Sequence, residues 1–170
     1  MKEEFIIIKQ SELDEDTLDE IIKLKQQHWN YSYESQKEWI FNYVEPNALH
    51  LLLKVNNKYV GYLSIRNIGM KIDDIHMEGK GLGNVCIDKE FRNCGYGRKL
   101  VEKANQIIIA DQNVGILLCH THLLSFYERC GWNNVGYDNL EIDKKIFSDV
   151  LMLFNYDLNH ISHMVLDRNF

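Results

Sequence analysis

The segment that most constrains the fold runs from Leu82 to Cys119. Apolar runs at 82–87 and 115–119 have strand composition, and 96–110 between them has the apolar periodicity of an amphipathic helix. A strand, a helix and a second strand in this order require a right-handed crossover between parallel strands. The apolar face of the helix consists of Leu100, Ala104, Ile107 and Ile108. The segment therefore predicts an α/β fold.

The rest of the chain adds helices and antiparallel strands around this unit. Two strand-like runs, Leu49–Val55 and Lys58–Ile65, are separated by an Asn pair that is typical of a tight hairpin turn. Residues 68–80 are predicted to form an irregular connection, and the glycine-rich run at 79–83 a flexible turn. The other predicted elements are a strand at Phe5–Ile8, a helix that begins after Ser11 or Asp14, a helix at Ser35–Val44, a short helix at His122–Arg129, a strand at Asp149–Tyr156, and one or two further strands near the C-terminus. We expect a mixed β-sheet flanked by helices, in a single domain.

The first helix has one charged residue on its apolar face. Leu18, Ile21, Ile22 and Trp29 follow helical spacing, and Lys25 is the polar exception on the same face.

Charge and composition exclude several classes of function. The net charge of −6 opposes nucleic-acid binding, which needs an excess of Lys and Arg facing phosphate. An acidic protein instead suits a cationic partner. We see no apolar run of the about 18 residues needed to span a membrane, and no signal peptide, so we expect a cytoplasmic protein without membrane contact. The cysteines stand singly, without the spacing of a zinc site, so we expect free thiols and no metal.

The loop between the strand and the helix of the central unit has the features of a phosphate-binding loop. Two glycines let the backbone approach a ligand, and the loop opens directly into a helix whose first N–H groups favour an anion. A Walker A loop is excluded because Gly97 is followed by Arg98 and Lys99, and a dinucleotide fingerprint because position 100 is Leu. A pyrophosphate of another kind is the predicted ligand.

Two motifs in and after this loop resemble the GNAT acetyltransferase superfamily. The run Arg92-Asn93-Cys94-Gly95-Tyr96-Gly97 is similar to the coenzyme A loop of that superfamily, Arg/Gln-x-x-Gly-x-Gly/Ala. The run from Ser125 to Trp132, after a strand ending in Leu117-Leu118-Cys119, is similar to its Tyr-x-x-x-Gly-Phe/Trp motif. The resemblance implies a GNAT-like acyl-CoA N-acyltransferase fold, with one N-acetyltransferase domain over 1–170 and acetyl-CoA as cofactor.

The same resemblance implies the site residues. Backbone groups of Val85, Cys86 and Ile87 would hold the pantetheine arm. The pyrophosphate would lie against the amides of Arg92, Asn93, Cys94, Gly95, Tyr96 and Gly97, with the side chain of Arg98. Tyr127 matches the tyrosine that contacts the coenzyme and gives a proton to its thiolate, and the alternative is a tyrosine that only packs in the core. His120 stands where the family often has Asn, and is a second candidate on the proton path. Glu78 is the candidate general base, unless it is merely a solvated acid.

The acceptor site is the least defined. Family acceptors contact the first two helices, where Trp29, Tyr31 and Tyr33 lie, and the segment before the central strand, where His76 and Glu78 lie. Aromatic rings suit a cationic ligand, although Trp29 is alternatively a core residue. The expected acceptor is a small cationic amine such as an aminoglycoside or a polyamine. A peptide or protein amine, a longer acyl group, a non-catalytic coenzyme A sensor and a homodimer are left open.

Overall fold

The computed structural model describes residues 2–136, 140–142, 145–146, 149–159 and 161–167. They fall into two compact units, the first within 1–66 and 84–101 and the second within 67–83 and 102–170. The helices are α1 (Glu15–Gln26), α2 (Tyr33–Tyr43), α3 (Tyr96–Ala110) and α4 (Leu124–Glu128). The strands are β1 (Glu3–Lys9), β2 (Leu49–Val55), β3 (Lys58–Ile72), β4 (Ile75–Ile87), β5 (Gly115–Cys119), β6 (Asn133–Gly136), β7 (Leu140–Ile142), β8 (Lys145–Ile146), β9 (Val150–Phe154) and β10 (Met164–Leu166).

In the first unit, α1 and α2 pack with the antiparallel strands β1, β2 and β3. Asp14 caps α1 by accepting a 2.8 Å hydrogen bond from the N–H of Thr17, as the sequence predicts for one of its two candidate caps. The β2–β3 hairpin is also confirmed, because Asn56 and Asn57 take φ values of 49° and 68° in its two-residue turn. This unit therefore has its own core under two helices.

In the second unit, hydrogen bonds join the strands in the order β6-β9-β5-β4-β3-β10-β7-β8. The β4–β5 pair is parallel, with Lys80 opposite Gly115, which confirms the parallel pair predicted for the central unit. The β5–β9 and β3–β10 pairs are antiparallel. The fold is thus a mixed α/β fold, and α3 and β5 have the bounds that the sequence predicts. The strands β6, β7, β8 and β10 lie in a region for which the sequence indicated only one or two extra strands.

The predicted irregular connection at 68–80 is wrong. β3 continues to Ile72, the chain turns at Asp73 with a φ of 50°, and β4 begins at Ile75. The sequence signal for the longer strand is the alternation of Ile68, Met70 and Ile72, which are all buried. Gly69 and Lys71 between them make this alternation difficult to recognise.

The predicted flexible turn at 79–83 is wrong as well, because these residues lie inside β4. A Cβ at Gly79 would be 2.7 Å from Cδ1 of Ile116 and 2.9 Å from Cε of Met70. Glycine is used here for close packing between strands, not for flexibility.

β4 is interrupted at Asn84, whose φ is 55°. Before this residue the buried positions are Gly79, Gly81, Leu82 and Gly83, and after it the buried position is Cys86. A positive φ at a non-glycine residue within a strand departs from regular strand geometry. Among the described helices, none is long and apolar enough to cross a membrane.

Candidate active site

The loop after β4 opens directly into α3. Asn93 and Gly95 have φ values of 60° and 82°, and the first helical hydrogen bond runs from the N–H of Lys99 to the carbonyl of Gly95 at 3.2 Å. A Cβ at Gly95 would meet no atom within 4 Å, so glycine is needed for its backbone angle and the space beside it is open. An open backbone at the start of a helix of 15 residues fits an anionic group such as a pyrophosphate.

Arg92 is held beside this loop by His28, from the end of the first unit's α1. Nη2 of Arg92 lies 3.0 Å from Nδ1 and 3.2 Å from Nε2 of His28, and Nε2 lies 2.8 Å from the carbonyl oxygen of Ile87. Because a carbonyl only accepts, Nε2 carries the hydrogen, and Nδ1 is the ring nitrogen that can accept from Arg92. Burial, and then the charge of Arg92, lower the pKa of His28, which favours this neutral form.

A second set of contacts fixes the entry to the loop. Nζ of Lys58 lies 3.3 Å from Oδ2 of Asp88 and 2.7 Å from Oε2 of Glu90. Gln27, next to His28, accepts a 2.8 Å hydrogen bond from the N–H of Lys89. The chain between β4 and α3 is therefore positioned by β3 and by the end of α1, which leaves the exposed side of Arg92 available to a ligand.

The strand segment predicted to hold the pantetheine arm is partly occupied by these contacts. The carbonyl of Ile87 is engaged by His28, and the thiol of Cys86 is buried, which raises its pKa to about 12. Val85 is half-buried. Cys94 is exposed in the loop, with its Sγ 3.4 Å from the carbonyl oxygen of Arg92.

Tyr127 lies in α4 of the second unit. Its side chain is buried, and burial raises the pKa of the phenol above its ordinary value. The ring packs edge-on against Phe126, and its hydroxyl makes no hydrogen bond with any residue in the described part of the chain. The phenol is thus kept protonated and its hydrogen is uncommitted.

The other predicted catalytic and acceptor residues of this unit are exposed. His120 has its Nδ1 3.1 Å from Oδ1 of Asp149 and stacks on His122 with ring centroids 5.8 Å apart. His76 and Glu78 lie on the outer part of β4, both exposed. The described residues contain no group of three His, Cys, Asp or Glu side chains placed to hold a metal ion.

A pocket of about 400 Å³ lies in the first unit, between the end of α1, α2 and β4. It contains two of the predicted acceptor residues, Trp29 and Tyr31, but not Tyr33, whose hydroxyl donates to Asp19. The pocket is lined by Lys25, Trp29, Tyr31, Ser35, Gln36, Trp39 and Asn84. We call it the acceptor pocket, after the two predicted acceptor residues that line it. Five of these residues (Lys25, Ser35, Gln36, Trp39 and Asn84) are not among the predicted acceptor residues. For Lys25 the sequence does contain a signal of a special role, because Lys25 is a charged residue on the apolar face of a helix.

Comparison with known proteins places these features in a family. Residues 46–134 match the model of the acetyltransferase (GNAT) domain, which is more than half of the chain. The uncharacterized N-acetyltransferase YitH of Bacillus subtilis is 30% identical over 126 residues, which are 71% of this chain and 43% of YitH. The chain thus spans less than half the length of this curated relative.

Solved structures share the fold. YhbS of Escherichia coli, in complex with CoA, has a TM-score of 0.69 at 12% identity and covers 99% of this chain and 92% of its own. ElaA of Escherichia coli has a TM-score of 0.66 at 20% identity, covering 91% of this chain and 100% of its own. PaiA of Thermoplasma acidophilum, in complex with coenzyme A, has a TM-score of 0.61 at 17% identity, covering 92% and 100%. Acetyl-CoA is the cosubstrate of the family whose domain model matches the loop and helix described above, and the chain belongs to that family, the GNAT acetyltransferases.

Proposed function

We propose that this protein transfers an acetyl group from acetyl-CoA to a primary amine. The observation that carries the proposal is the conformation of the loop at Gly95. This glycine has a positive φ and open space beside it, so the first N–H groups of α3 are accessible. They lie in the same loop as Arg92, whose guanidinium is oriented by His28. Such a site binds a pyrophosphate through backbone N–H groups and one guanidinium.

In this proposal the amides of residues 92–97 and the side chains of Arg92 and Arg98 hold the pyrophosphate. Backbone groups of Val85 and Cys86 orient the pantetheine arm, whereas the carbonyl of Ile87 stays bonded to His28. Acetyl-CoA, when bound, supplies a thioester that an amine can attack directly. The interruption of β4 at Asn84 supports this assignment, because a residue with positive φ frees neighbouring backbone groups from regular pairing.

Transfer forms an N–C bond, breaks the C–S bond, removes one proton from the amine and returns one to the departing sulfur. We assign the returned proton to Tyr127, which matches the tyrosine of the family motif and is protonated because burial raises the pKa of its phenol. His120 is the second candidate for this proton. Glu78 is proposed as the base that receives the amine proton, directly or through water.

Two acceptor classes follow from the sequence, a small polycation such as an aminoglycoside or a polyamine, and the amine of a peptide or protein. The net charge of −6 supports cationic acceptors through long-range attraction. The acceptor pocket has the opposite local character, because no Asp or Glu is among its lining residues and Lys25 is. Local contacts outweigh net charge once a ligand is desolvated, so we rank a polycation below an amine with a single charge.

The test is a thiol-release assay with acetyl-CoA and a panel of amines, run beside a thermal melt. Turnover with any amine supports the transferase and rejects the non-catalytic sensor. A melting temperature that acetyl-CoA raises, without turnover of any amine, supports the sensor. If millimolar acetyl-CoA neither shifts the melt nor turns over, the cofactor assignment is wrong.

A further inference from the structure

Lys25 is a buried cation that the fold does not pair. Its side chain is 6% exposed, and within the described ranges no carboxylate or hydrogen-bond acceptor contacts its Nζ. The nearest recorded partner is the indole of Trp39, whose centroid lies 5.0 Å from Nζ. Burying a charge without an opposite charge is costly, and burial lowers the pKa of Lys25 to about 8 despite a smaller opposing effect of Cys86.

The other cation on the same indole is paired. Cζ of Arg66 lies 5.5 Å from the Trp39 centroid, and its Nε and Nη2 each donate to a carboxylate oxygen of Glu45 at 3.1 Å. Of the two cations over this ring, only Lys25 lacks an anion among the described residues.

A second group in the acceptor pocket is also uncompensated. Gln36 is 3% exposed, and its Oε1 is the one buried side-chain oxygen or nitrogen in the described part of the chain that has no hydrogen-bond partner. Its amide nitrogen donates to the carbonyl of Tyr31 at 3.4 Å. Because that carbonyl can only accept, exchanging the amide's two ends would bring two acceptors together, so Oε1 is the end left without a donor.

We propose that the acceptor pocket binds a small amine that also carries a carboxylate, with the Lys25 ammonium as the partner of the carboxylate and Gln36 as an acceptor for the amine's N–H. Trp29, Trp39 and Tyr31 form walls that suit an apolar or aromatic side chain. An α-amino acid with an aromatic side chain has all three parts. This inference rests on the proposed function and names its substrate class.

The position of the pocket fits this role. Asn84, which lines it, directly precedes the residues Val85 and Cys86 that we assign to the pantetheine arm. A polycation is disfavoured here, since it would bring further positive charge next to Lys25 and to a ring already occupied by two cations of the chain.

The loss of ligand affinity at alkaline pH would report Lys25. The surrounding groups are His28, whose ring contacts Trp29 and whose pKa burial lowers, the Cys86 thiol, with a pKa raised by burial to about 12, His50, with a pKa lowered by burial to about 4, the Tyr62 phenol, with a pKa raised by burial, and Arg66, with a pKa lowered by burial from that of a free guanidinium. An anion binds the protonated form of Lys25, so its affinity is constant between about pH 6 and 7 and falls as the pH rises through about 8.

The test measures by calorimetry the affinities of N-acetyl-L-phenylalanine and N-acetyl-L-phenylalaninamide for the enzyme saturated with coenzyme A. The two probes have no amine to titrate and differ only in carboxylate against amide. We expect the carboxylate to bind about 10- to 100-fold more tightly, as expected for a hydrogen bond to a charged group. Lys25→Met should abolish the preference and leave coenzyme A affinity unchanged, whereas Lys25→Arg should retain part of it. An equal affinity of the two probes at pH 7, or a preference that survives Lys25→Met, overturns the inference.

A kinetic arm separates this inference from the proposed function. L-Phenylalanine, spermine and kanamycin are tested as acceptors with acetyl-CoA. If only the polyamine or the aminoglycoside is acetylated, the carboxylate inference fails and the transferase stands. If acetyl-CoA binds, no amine is acetylated and the carboxylate probe keeps its preference, the ligand class is supported and the transferase fails.

Discussion

The guanidinium of Arg92 is held by a neutral imidazole, that of His28, and pairs with no carboxylate among the residues that the structure describes. Nη2 lies 3.0 Å from Nδ1 and 3.2 Å from Nε2 of the ring, and the carbonyl oxygen of Ile87, 2.8 Å from Nε2, fixes the ring in turn. A neutral partner orients the arginine without neutralising it, so the full positive charge is available to a phosphate. The same arrangement makes the orientation of Arg92 sensitive to protonation of His28.

We expect acetyl-CoA to bind more weakly as the pH falls from 7 to 5. The pKa of His28 lies below its ordinary value of about 6.5, so the neutral ring, and the stability it contributes, persist above that value and are lost as the pH falls through the lowered pKa. Protonation removes the acceptor for Arg92 and repels it, which should cost about fivefold in affinity. His28→Gln, titrated over the same range, controls for protonation of the ligand's own phosphate. If wild type and variant show the same pH dependence, His28 does not position Arg92.

Gly95→Ala should weaken acetyl-CoA binding by at least tenfold and destabilise the free protein by about 1–2 kcal/mol, because an L-residue is strained at a φ of 82°. The neighbouring Asn93→Gly is the matched control, since a φ of 60° suits glycine and this change should leave the melt and the affinity almost unchanged. Calorimetry with acetyl-CoA and urea denaturation measure both effects. A Gly95→Ala variant that binds normally would remove the loop from the cofactor site.

Tyr127→Phe should lower kcat by about 10²-fold, with about tenfold as the smallest loss that supports a proton donor. The melting temperature should hardly change, because the hydroxyl makes no hydrogen bond with a described residue. Tyr156→Phe, a second phenol of the same unit, is the control for rate and melt. A Phe variant that keeps the wild-type rate from pH 6 to 9 transfers the role to His120, to be tested as His120→Ala.

Asn105→Leu should destabilise the protein substantially more than Gln106→Ala on the exposed side of the same helix. Asn105 accepts a 3.0 Å hydrogen bond from the indole N–H of Trp132 and donates one of 2.8 Å to the carbonyl of Cys130. Each group left without a partner in this buried position costs about 1–3 kcal/mol. Urea denaturation of both variants measures the difference, and equal stabilities would mean that water replaces the lost contacts.

The elements that the sequence predicted best are those with a single local signal. The amphipathic period of α3 and the apolar run of β5 were sufficient to predict the first and last residues of both elements. The β3–β4 hairpin was missed because glycines such as Gly79, which propensity assigns to turns, stand there for contact with Ile116 and Met70. That contact is tertiary, and a local pattern does not contain it.

The site divides in the same way. The cofactor loop was predictable, since all its groups are consecutive in sequence. The bond between Arg92 and His28 joins residues 64 positions apart, and the sequence held no signal for it. Lys25 was only partly predictable. Its place on the apolar face of a helix was visible in the sequence, but the pocket beside it is formed with residues of α2 and β4, which are distant in sequence.

The distribution of thiols makes Cys94 a built-in reporter. It is exposed in the proposed cofactor loop, whereas Cys86, Cys119 and Cys130 are buried. A maleimide dye applied to the native protein should therefore attach at one position without any engineering, and its attachment rate should fall when acetyl-CoA covers the loop. Cofactor occupancy could then be followed by labelling kinetics alone, independently of any acceptor or turnover.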